Sequence, residues 1–413
     1  MNDGECSLAR ASPDVTHKEG KVIIQVASLF NQLLQHFPRA EFGALVKENK
    51  AERCAKGFGC WTQLVSMLFC QLAHADSLRE ICNGLGCCLG KLVHLGIAKA
   101  PKKSTLSYAN EHRPAKLYED LFYTALKRFR DGEGLGPRKQ KFRFKNKLLS
   151  LDSTTISLCL ELFPWAKFRK AKGGVKAHVL LDHDDYLPRY VLITEAKCSD
   201  VKMADAFTLN PGSIVAMDRG YNDYGLFGKW TAAEIYFVTR LKENAAYEVV
   251  EECKLPQNRN ILSDQLIRFT GSQAQQDCPC LLRRVAAWDT LNEREIVLLT
   301  NLLEFGATTL AAIYKDRWEI ELFFKALKQN LKLKSFVGTT ENALRIQIWT
   351  ALLAILLLKW LHHLSKAKWS LSNLASLLRL NLFTYRDLRT WLDDPFQTPP
   401  LLPESLQLTL PLA

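Results

Sequence analysis

Residues 148–156 read LLSLDSTTI, a run of apolar and β-branched residues around one acid, Asp152. Two similar runs follow, VKAHVLL at 175–181 and LPRYVLITEA at 187–196, and both are short and bounded by turn residues. Such spacing is typical of neighbouring strands of one sheet. A helical stretch, the apolar run SIVAMD that ends at Asp218, and a further helix and strand come next. This order predicts a three-stranded meander that continues into alternating α and β elements, which is a mixed α/β (α+β) fold.

Segments of different character flank this region. Helical periodicity dominates the residues before it, two helices follow it, and short strand-like pieces interrupt it. We predict a helical N-terminal DNA-contacting domain at 1–137, core parts at 138–244 and 296–365, a β-rich insertion at 245–295, and a helical segment with a Pro-rich tail at 366–413. A helical packing or oligomerisation domain is an equal alternative for the first of these, although PKKSTLSYANEHRP at 101–114 is typical of a DNA-contacting module.

Composition suggests a nucleic-acid partner. The chain has 413 residues, 47% of them hydrophobic and 24% charged, which excludes collagen-like and wholly disordered proteins. Its 55 basic and 43 acidic residues leave a net charge of +12. A polyanion such as DNA is therefore the first partner to test, the alternative being a merely basic protein.

The first twenty residues are polar and contain acids, which is not typical of a secretory signal. The longest apolar stretch, WTALLAILLL at 349–358, is too short to cross a bilayer and predicts a core helix. Most of the 12 cysteines lie in apolar helical patterns. We expect a protein of the reducing cytoplasm with no membrane partner.

A basic segment, RKQKFRFKNK at 138–147, opens the predicted core. If it is extended, Lys141, Arg143 and Lys145 project on one side and the two phenylalanines on the other. The cations would then suit a DNA backbone, and a solvated linker is the alternative.

One polar face stands out on the helix predicted for residues 306–333, with a Thr308 or Thr309 cap. Tyr314, Arg317, Glu321 and Lys328 fall within about 60° of one another on a helical wheel, beside a buried apolar stripe. Glu319 points elsewhere, so Glu321 is the carboxylate that can face a site. A surface salt-bridge ladder is the alternative.

Two acids lie in apolar strands, where an unpaired carboxylate is costly. Asp152 is inside its strand and Asp218 ends one, so each needs a metal, a cap or an ion pair. With Glu321 they would form a magnesium site, because Mg²⁺ prefers oxygen ligands and retains waters that phosphate oxygens can replace. Two such ions can activate a water or a 3′-hydroxyl for attack on a phosphodiester.

Three other constellations are weaker. Asp182, His183, Asp184 and Asp185 resemble a metal cluster, but a solvated turn between two strands is the simpler interpretation. Cys278 and Cys280 lack the second pair that a zinc site needs. A nucleotide-binding GxxxxGK[ST] loop is absent from the sequence.

The spacing Tyr314-x₂-Arg317-x₃-Glu321-x₆-Lys328 in YKDRWEIELFFKALKQ resembles the Tyr-Arg-Glu-Lys signature of bacterial DDE transposases of the insertion sequence four family. The resemblance continues through LLSLDSTTI, KGGVKAHVLL, AMDRGYNDY and VLLTNLLE, over roughly residues 145 to 360, and is looser in the N-terminal helices.

The resemblance implies a ribonuclease H-like core with a β-rich insertion between the second Asp and the Glu. It implies that Asp152, Asp218 and Glu321 are the catalytic, metal-binding triad, which takes two Mg²⁺ ions with Mn²⁺ as a substitute. Tyr314, Arg317 and Lys328 would contact transposon-end DNA. Relatives that form a hairpin intermediate carry a Trp just before the strand matching VLLTN, where this chain has Ile296.

The resemblance further implies cut-and-paste transposition: cleavage at inverted-repeat ends and joining of 3′-hydroxyls to target DNA by a homodimer, associated with the nucleoid when bound to DNA. The apolar stretch WSLSNLASLLRLNLF at 369–383 is a candidate for association. A ribonuclease H-like nuclease without strand transfer, and a non-catalytic transposase-derived DNA-binding protein, are the alternatives.

Overall fold

The computed structural model describes residues 27–399 except 54, 56, 89, 133–134, 136–140, 160, 170–171, 258–259 and 334. Three predicted features lie outside this part of the chain. They are the domain boundary at residue 137 with the neighbouring Gly134 and Gly136, the first three residues of the basic segment, and the end of the Pro-rich tail.

Ten strands form a single mixed sheet. They are β1 (Leu148–Leu158), β2 (Lys167–Arg169), β3 (Lys172–Asp182), β4 (Leu187–Glu195), β5 (Ile214–Met217), β6 (Tyr236–Arg240), β7 (Tyr247–Glu252), β8 (Ile261–Phe269), β9 (Leu282–Asp289) and β10 (Arg294–Thr300). Their order is β2-β3-β1-β5-β6-β10-β9-β8-β7, and β4 pairs with β3. The predicted meander is present as antiparallel β1, β3 and β4.

The central strands create the edge where acids meet. β5 is parallel to both β1 and β6, so the carboxyl ends of these strands point the same way. β10 returns antiparallel to β6, and the insertion strands β9, β8 and β7 extend the same sheet beyond it. The predicted β-rich insertion therefore continues the core sheet.

The structure gives fourteen α-helices in the described part of the chain. The first six are α1 (Leu29–Leu34), α2 (Arg39–Glu48), α3 (Cys60–Ala73), α4 (Leu78–Gly86), α5 (Lys103–His112) and α6 (Lys116–Asp131). The others are α7 (Asp200–Ala204), α8 (Tyr224–Ala232), α9 (Ser272–Asp277), α10 (Ala307–Asp316), α11 (Trp318–Asn330), α12 (Glu341–Leu364), α13 (Leu371–Asn381) and α14 (Leu388–Asp393).

Helix α12 is the centre of the helical part. It is apolar on nearly all sides and packs against α3, α5 and α6 from the N-terminal region and α13 from the C-terminal region. Most of its length is buried inside the protein, as predicted for a core helix. The N-terminal helices and the helices that follow the sheet thus share one hydrophobic core.

Two local predictions are wrong. The helix expected over 306–333 is two helices, because the backbone N–H of Arg317 is shared between the carbonyls of Ile313 and Tyr314 and α11 restarts after it. The predicted threonine caps are also absent, since Gly306 is the N-cap of α10 and makes no side-chain capping bond.

Two leucines of helix α13 pack against the protein's own hydrophobic core. Leu374 and Leu378 of the proposed association stretch are buried against the chain's own core, whereas Leu380 is exposed. The periodicity that suggested an interface therefore reflects packing within the chain.

Candidate active site

Strands β1 and β5 bring two acids to the same edge of the sheet. Leu151 of β1 lies opposite Met217 of β5 in the parallel register, so Asp152 and Asp218 follow a matched pair of residues. Both acids are partly buried. Asp218 leads into a short 3₁₀ turn at Arg219–Tyr221 and makes no capping bond with its side chain.

Helix α11 brings the third acid. It packs against β1, and the Glu321 side chain in its first turn retains about a third of its exposure, at 34%. The guanidinium of Arg317 reaches both carboxylates, with Nη2 2.7 Å from Glu321 Oε1 and Nη1 3.5 Å from Asp152 Oδ2. The Arg317 side chain is only 10% exposed, and its Nε has no hydrogen-bond partner among the described residues. Thus Asp152 and Glu321 flank one buried cation.

The pKa of Asp152 is raised mainly by burial. Burial raises the pKa of this carboxyl to about 6, and the charges of Glu321 and Asp218 add to the rise. The backbone N–H of Ser153, which donates to Asp152 Oδ1 at 2.8 Å, and the nearby Arg317 act in the opposite direction without cancelling it. Asp152 is therefore a buried carboxyl whose ionisation is disfavoured and which lies within electrostatic reach of Glu321 and Asp218.

The carboxylates are not already arranged as a closed metal cage. Among the described residues, no three acidic, histidine or cysteine side chains are grouped closely enough to hold a metal ion. The Arg317 guanidinium lies between Asp152 and Glu321 and contacts both. The donor set nevertheless fits a divalent cation, since it offers carboxylate oxygens from three elements and an excess of negative charge.

Tyr314 lies beside the same acids. Burial raises the pKa of its hydroxyl, and the charge of Asp218 acts in the same direction while Arg317 opposes it. The Arg317 guanidinium carbon lies 5.4 Å from the centre of the Tyr314 ring. The structure thus brings together Tyr314, Arg317 and the three acids, although the helix that carries them is broken at Arg317.

Lys328 is placed further along β1. Its Nζ donates to the carbonyl of Thr155 at 3.2 Å, three residues beyond Asp152. Burial lowers the pKa of Lys328, and no acid pairs with it in the described part of the chain. It is therefore a half-buried cation at the border of the acidic edge.

The basic segment at 141–145 has the alternation that the sequence predicted, without forming a strand. Lys141, Arg143 and Lys145 are exposed, while Phe142 and Phe144 stack with their ring centres 5.1 Å apart and pack under α10. The three cations differ in their surroundings. Lys141 is paired with Asp316, and Lys145 lines a cavity of about 390 Å³ with Arg189 at the opposite edge of the sheet from Asp152.

The turn between β3 and β4 is not the solvated turn that we expected. Asp182 and Asp185 are buried, at 4% and 8% exposure. Lys147 pairs with Asp182 at 2.7 Å, and the Arg130 guanidinium donates to Asp185. These cations stabilise the buried carboxylates, so the turn serves as a structural junction between α6 and the sheet.

A chain of hydrogen bonds ends at Asp316, the residue before Arg317, and was not predicted from the sequence. His183 lies between Ser150 and Asp316, with its Nε2 2.6 Å from Ser150 Oγ and its Nδ1 2.6 Å from Asp316 Oδ2. All three side chains are buried, so they do not form a site open to substrate. The helical wheel of residues 306–333 could have indicated this chain, because it places Asp316 at the edge of the apolar stripe, where a carboxylate needs hydrogen-bond or ionic partners.

Arg240 and Tyr221 were also missed. Arg240 ends β6 and acts electrostatically on Tyr314, as Asp218 does. Tyr221 follows Asp218, and its pKa is raised well above the usual value by burial and then by Asp200, Asp152 and Asp218. Arg240 is the last residue of β6, and Tyr221 lies four residues after the end of β5. The same position at the carboxyl end of a strand is what made Asp218 a candidate.

Within the described ranges, Cys278 and Cys280 have no further acidic, histidine or cysteine side chain close enough to complete a metal site. Their sulfurs are 3.1 Å apart, and all ten cysteines in the described part of the chain are free.

Comparison with known proteins identifies the family. The sequence profile of the transposase DDE domain matches residues 143–357, which is more than half of the chain. A second profile, a domain of unknown function (DUF4372), matches residues 25–98. The fold and the converging acids define a ribonuclease H-like nucleic-acid enzyme, and the chain belongs to the DDE transposases.

Curated relatives place it among insertion-sequence proteins. The chain is 31% identical to "Putative transposase y4zB" of Sinorhizobium fredii over 70% of this chain and 80% of that one. It is 31% identical to "Probable transposase for insertion sequence element IS5377" of Geobacillus stearothermophilus over 57% of this chain and 62% of that one. It is 25% identical to "Transposase InsG for insertion sequence element IS4" of Escherichia coli over 40% and 38%.

These matches confirm the predicted family and fold class: a bacterial, insertion sequence four-like DDE transposase with a ribonuclease H-like core and a helical N-terminal region. The protein is a transposase that binds transposon DNA, and enzymes of this kind use divalent metal ions.

Proposed function

We propose that this transposase moves its own element by cut and paste: it cleaves the DNA at both inverted-repeat ends and joins the freed 3′-hydroxyls to target DNA. The observation that supports the proposal is the placement of Asp152, Asp218 and Glu321: the two aspartates follow paired residues of β1 and β5, and Arg317 contacts both Asp152 and Glu321. Cleavage and joining are both attacks on a phosphodiester, so one site can serve both.

Asp152, Asp218 and Glu321 would hold the metal, for which we propose two Mg²⁺ ions with Mn²⁺ as a substitute. When bound, the ions supply an activated oxygen nucleophile and stabilise the leaving oxygen. Arg317 donates to one oxygen of Glu321 and lies close to Asp152. We infer that Arg317 leaves the carboxylates when metal and DNA arrive and then binds a phosphate of the scissile strand.

The other side chains of the signature would hold the DNA. Tyr314 lies over the same acids, and its hydroxyl is suited to donate to a phosphate oxygen. Lys328, which has no acidic partner in the described structure, would hold a phosphate one step along the strand. Arg143 is exposed and would contact the duplex further out. Lys141 is engaged with Asp316, and Lys145 lies on the opposite side of the sheet from Asp152, so neither supports this contact.

We also propose that the N-terminal helical region, within residues 1–137, contacts DNA and that two subunits act together. Each element has two ends to be cut and joined, so a homodimer would supply one active site for each end. The reaction takes place on chromosomal DNA, which implies cytoplasmic protein associated with the nucleoid while bound.

An in vitro reaction tests the proposal. The full chain is incubated with a fragment carrying one element end, a supercoiled target plasmid, and Mg²⁺, Mn²⁺ or EDTA. The proposal expects end fragments joined to the plasmid in the presence of metal only. Cut fragments without joined product would identify a ribonuclease H-like nuclease instead, and a shifted but uncut fragment would identify a DNA-binding protein without catalysis.

A further inference from the structure

Helix α5 presents a polar, basic surface that the reaction at the acidic edge does not use. We call this the α5 surface and define it by six exposed residues: Lys99, Lys102, Lys103, Ser104, Ser107 and Tyr108. It lies just beyond the region matched by the domain of unknown function. We propose that the α5 surface docks on the duplex at the transposon ends, with its lysines on phosphates and its Ser107 and Tyr108 hydroxyls at base edges.

The charge of this region is one-sided. Residues 81–110 contain four lysines and no acid over thirty residues, although the whole chain carries 43 acids. Lys99, Lys102 and Lys103 are exposed, and none forms an ion pair with another described residue. Unpaired lysines concentrated at one place are the electrostatic requirement for binding a phosphate backbone.

The helix exposes hydrogen-bonding groups on one face and buries the other. Leu106, Ala109 and Asn110 are at most 3% exposed, whereas Tyr108 is 64% exposed and stacks on His112 with ring centres 3.9 Å apart. A helix with hydroxyl groups on its open face fits the major groove, where base edges can be read. Because Tyr108 is the one large apolar side chain on this face, a protein partner that needs a hydrophobic anchor is disfavoured.

The face is also held rigidly. Gln63 donates to the Asn110 side chain at 2.8 Å, and the Asn342 side chain donates to the carbonyls of Asn110 and Arg113 at 2.8 and 2.7 Å. Asn342 lies in the first turn of α12, the central helix. A duplex bound on α5 would therefore have a fixed position relative to the catalytic core, as a site that measures distance to a cut requires.

Glu111 sets the direction of docking. It is exposed on the same face, two turns after Lys103, and would repel phosphates. The lysine end of the helix is therefore the end that meets the backbone.

Equilibrium binding of the full chain tests the inference, which rests on the proposed function for the identity of the DNA. Fluorescence anisotropy is measured across a salt series for a duplex from the element's end and for a shuffled duplex of equal length. Three variants are compared with the parent: Lys102→Ala with Lys103→Ala, Ser107→Ala with Tyr108→Ala, and the control Lys368→Ala, an exposed lysine in the loop before α13. Circular dichroism melting confirms that each variant is folded.

The lysine variant should bind both duplexes more weakly and reduce the slope of log K against log salt by about 2, one unit for each lost phosphate contact. The Ser107 and Tyr108 variant should retain the parent's slope but lower the preference for the end duplex about tenfold. The control should change neither quantity. Parent-like slopes in the lysine variant would overturn the docking surface, and an unchanged preference in the second variant would overturn base reading by α5.

The two proposals fail separately. Joining by the parent, together with parent-like binding by the α5 variants, would reject the α5 surface and leave the cut-and-paste proposal intact. Conversely, loss of binding in the α5 variants with no joining by the parent would retain the α5 surface and reject strand transfer.

Discussion

Arg317 donates a hydrogen bond to Glu321 at 2.7 Å, one helical turn further along the chain. The same guanidinium is 3.5 Å from Asp152 on β1, so a residue of the DNA-binding signature lies between two proposed metal ligands. The guanidinium offsets part of the cost of burying these two carboxylates, but the pKa of Asp152 remains raised, so the compensation is incomplete. If Asp152 and Glu321 bind metal as proposed, the metal competes with Arg317 for their oxygens.

Glu321→Gln should abolish metal-dependent cleavage and leave end binding nearly unchanged, because the variant loses a ligand charge but little volume. The measurement is the appearance of cut and joined products on a gel, alongside a binding titration. Glu319→Gln is the matched control, since Glu319 lines a separate cavity with Asp185 on the other side of α11. Cleavage by the Glu321 variant at the parent rate would remove Glu321 from the site.

Arg317→Ala should increase the stabilisation of the protein by Mg²⁺, since the metal no longer has to displace the guanidinium. Thermal unfolding with Mg²⁺ or EDTA measures this as a larger metal-dependent rise in Tm than in the parent. Arg219→Ala is the control, because Arg219 is an exposed neighbour of Asp218 that pairs with Glu243. Equal metal effects in the parent and the Arg317 variant would contradict the proposed competition.

Asp152→Asn should stabilise the protein in EDTA at pH 7.5 by about 2 kcal/mol. The raised pKa of Asp152 corresponds to about 3 kcal/mol, and solvent screening of the partly exposed side chain reduces this value. The pKa of Asp152 is raised in the folded state to about 6, so ionising this carboxyl costs folding free energy above that pH. The cost disappears as the pH falls toward 4, where the carboxyl is protonated in the folded state and increasingly so in the unfolded state. Urea unfolding in EDTA at both pH values checks this, and a variant less stable than the parent at pH 7.5 would refute it.

Lys328→Ala should weaken end binding and reduce the slope of log K against log salt by about 0.9, because one phosphate contact is lost. The nearby exposed Lys315, on a different side of the helical wheel, gives the control Lys315→Ala, which should keep the parent's slope. A salt series of binding titrations provides the comparison. If the two variants had the same slope as the parent, Lys328 would not be a phosphate contact.

Asp316→Asn should destabilise the fold by about 3 kcal/mol, since it removes the buried carboxylate that binds both His183 and Lys141. Burial alone would raise the pKa of Asp316. Hydrogen bonds with His183 and Lys141 outweigh this effect and hold the pKa below its usual value. Lys141→Ala should cost less than about 1 kcal/mol, because Lys141 is 58% exposed and His183 still pairs with Asp316. Chemical denaturation of both variants measures the difference, and equal costs would argue against a buried role for Asp316.

Much of the fold followed from local patterns. The alternation and length of residues 148–156, 175–181 and 187–196 predicted three neighbouring strands, and they pair as β1, β3 and β4. The apolar stretch at 349–358 predicted a buried helix and lies inside α12. These features depend on side-chain period and turn residues, which act over a few residues.

The break at Arg317 and the buried turn at Asp182–Asp185 did not follow from local patterns. The turn looked solvated because its acids are adjacent in sequence, while the cations that bury them, Arg130 and Lys147, come from distant segments. Similarly, the leucines of α13 suggested an interface because periodicity cannot tell packing within a chain from packing between chains.

The amino-acid sequence by itself determined the family, the strand that carries each aspartate and the helical face that carries Glu321, because period and spacing are properties of neighbouring residues. Only the tertiary structure decided that the Arg317 guanidinium contacts the carboxylates of both Asp152 and Glu321. The same is true of the hydrogen bonds by which His183 links Ser150 to Asp316. The contacts of Arg317 with Asp152 and of His183 with Asp316 join segments more than a hundred residues apart. The free energy of burying these charges depends on the surroundings that folding creates.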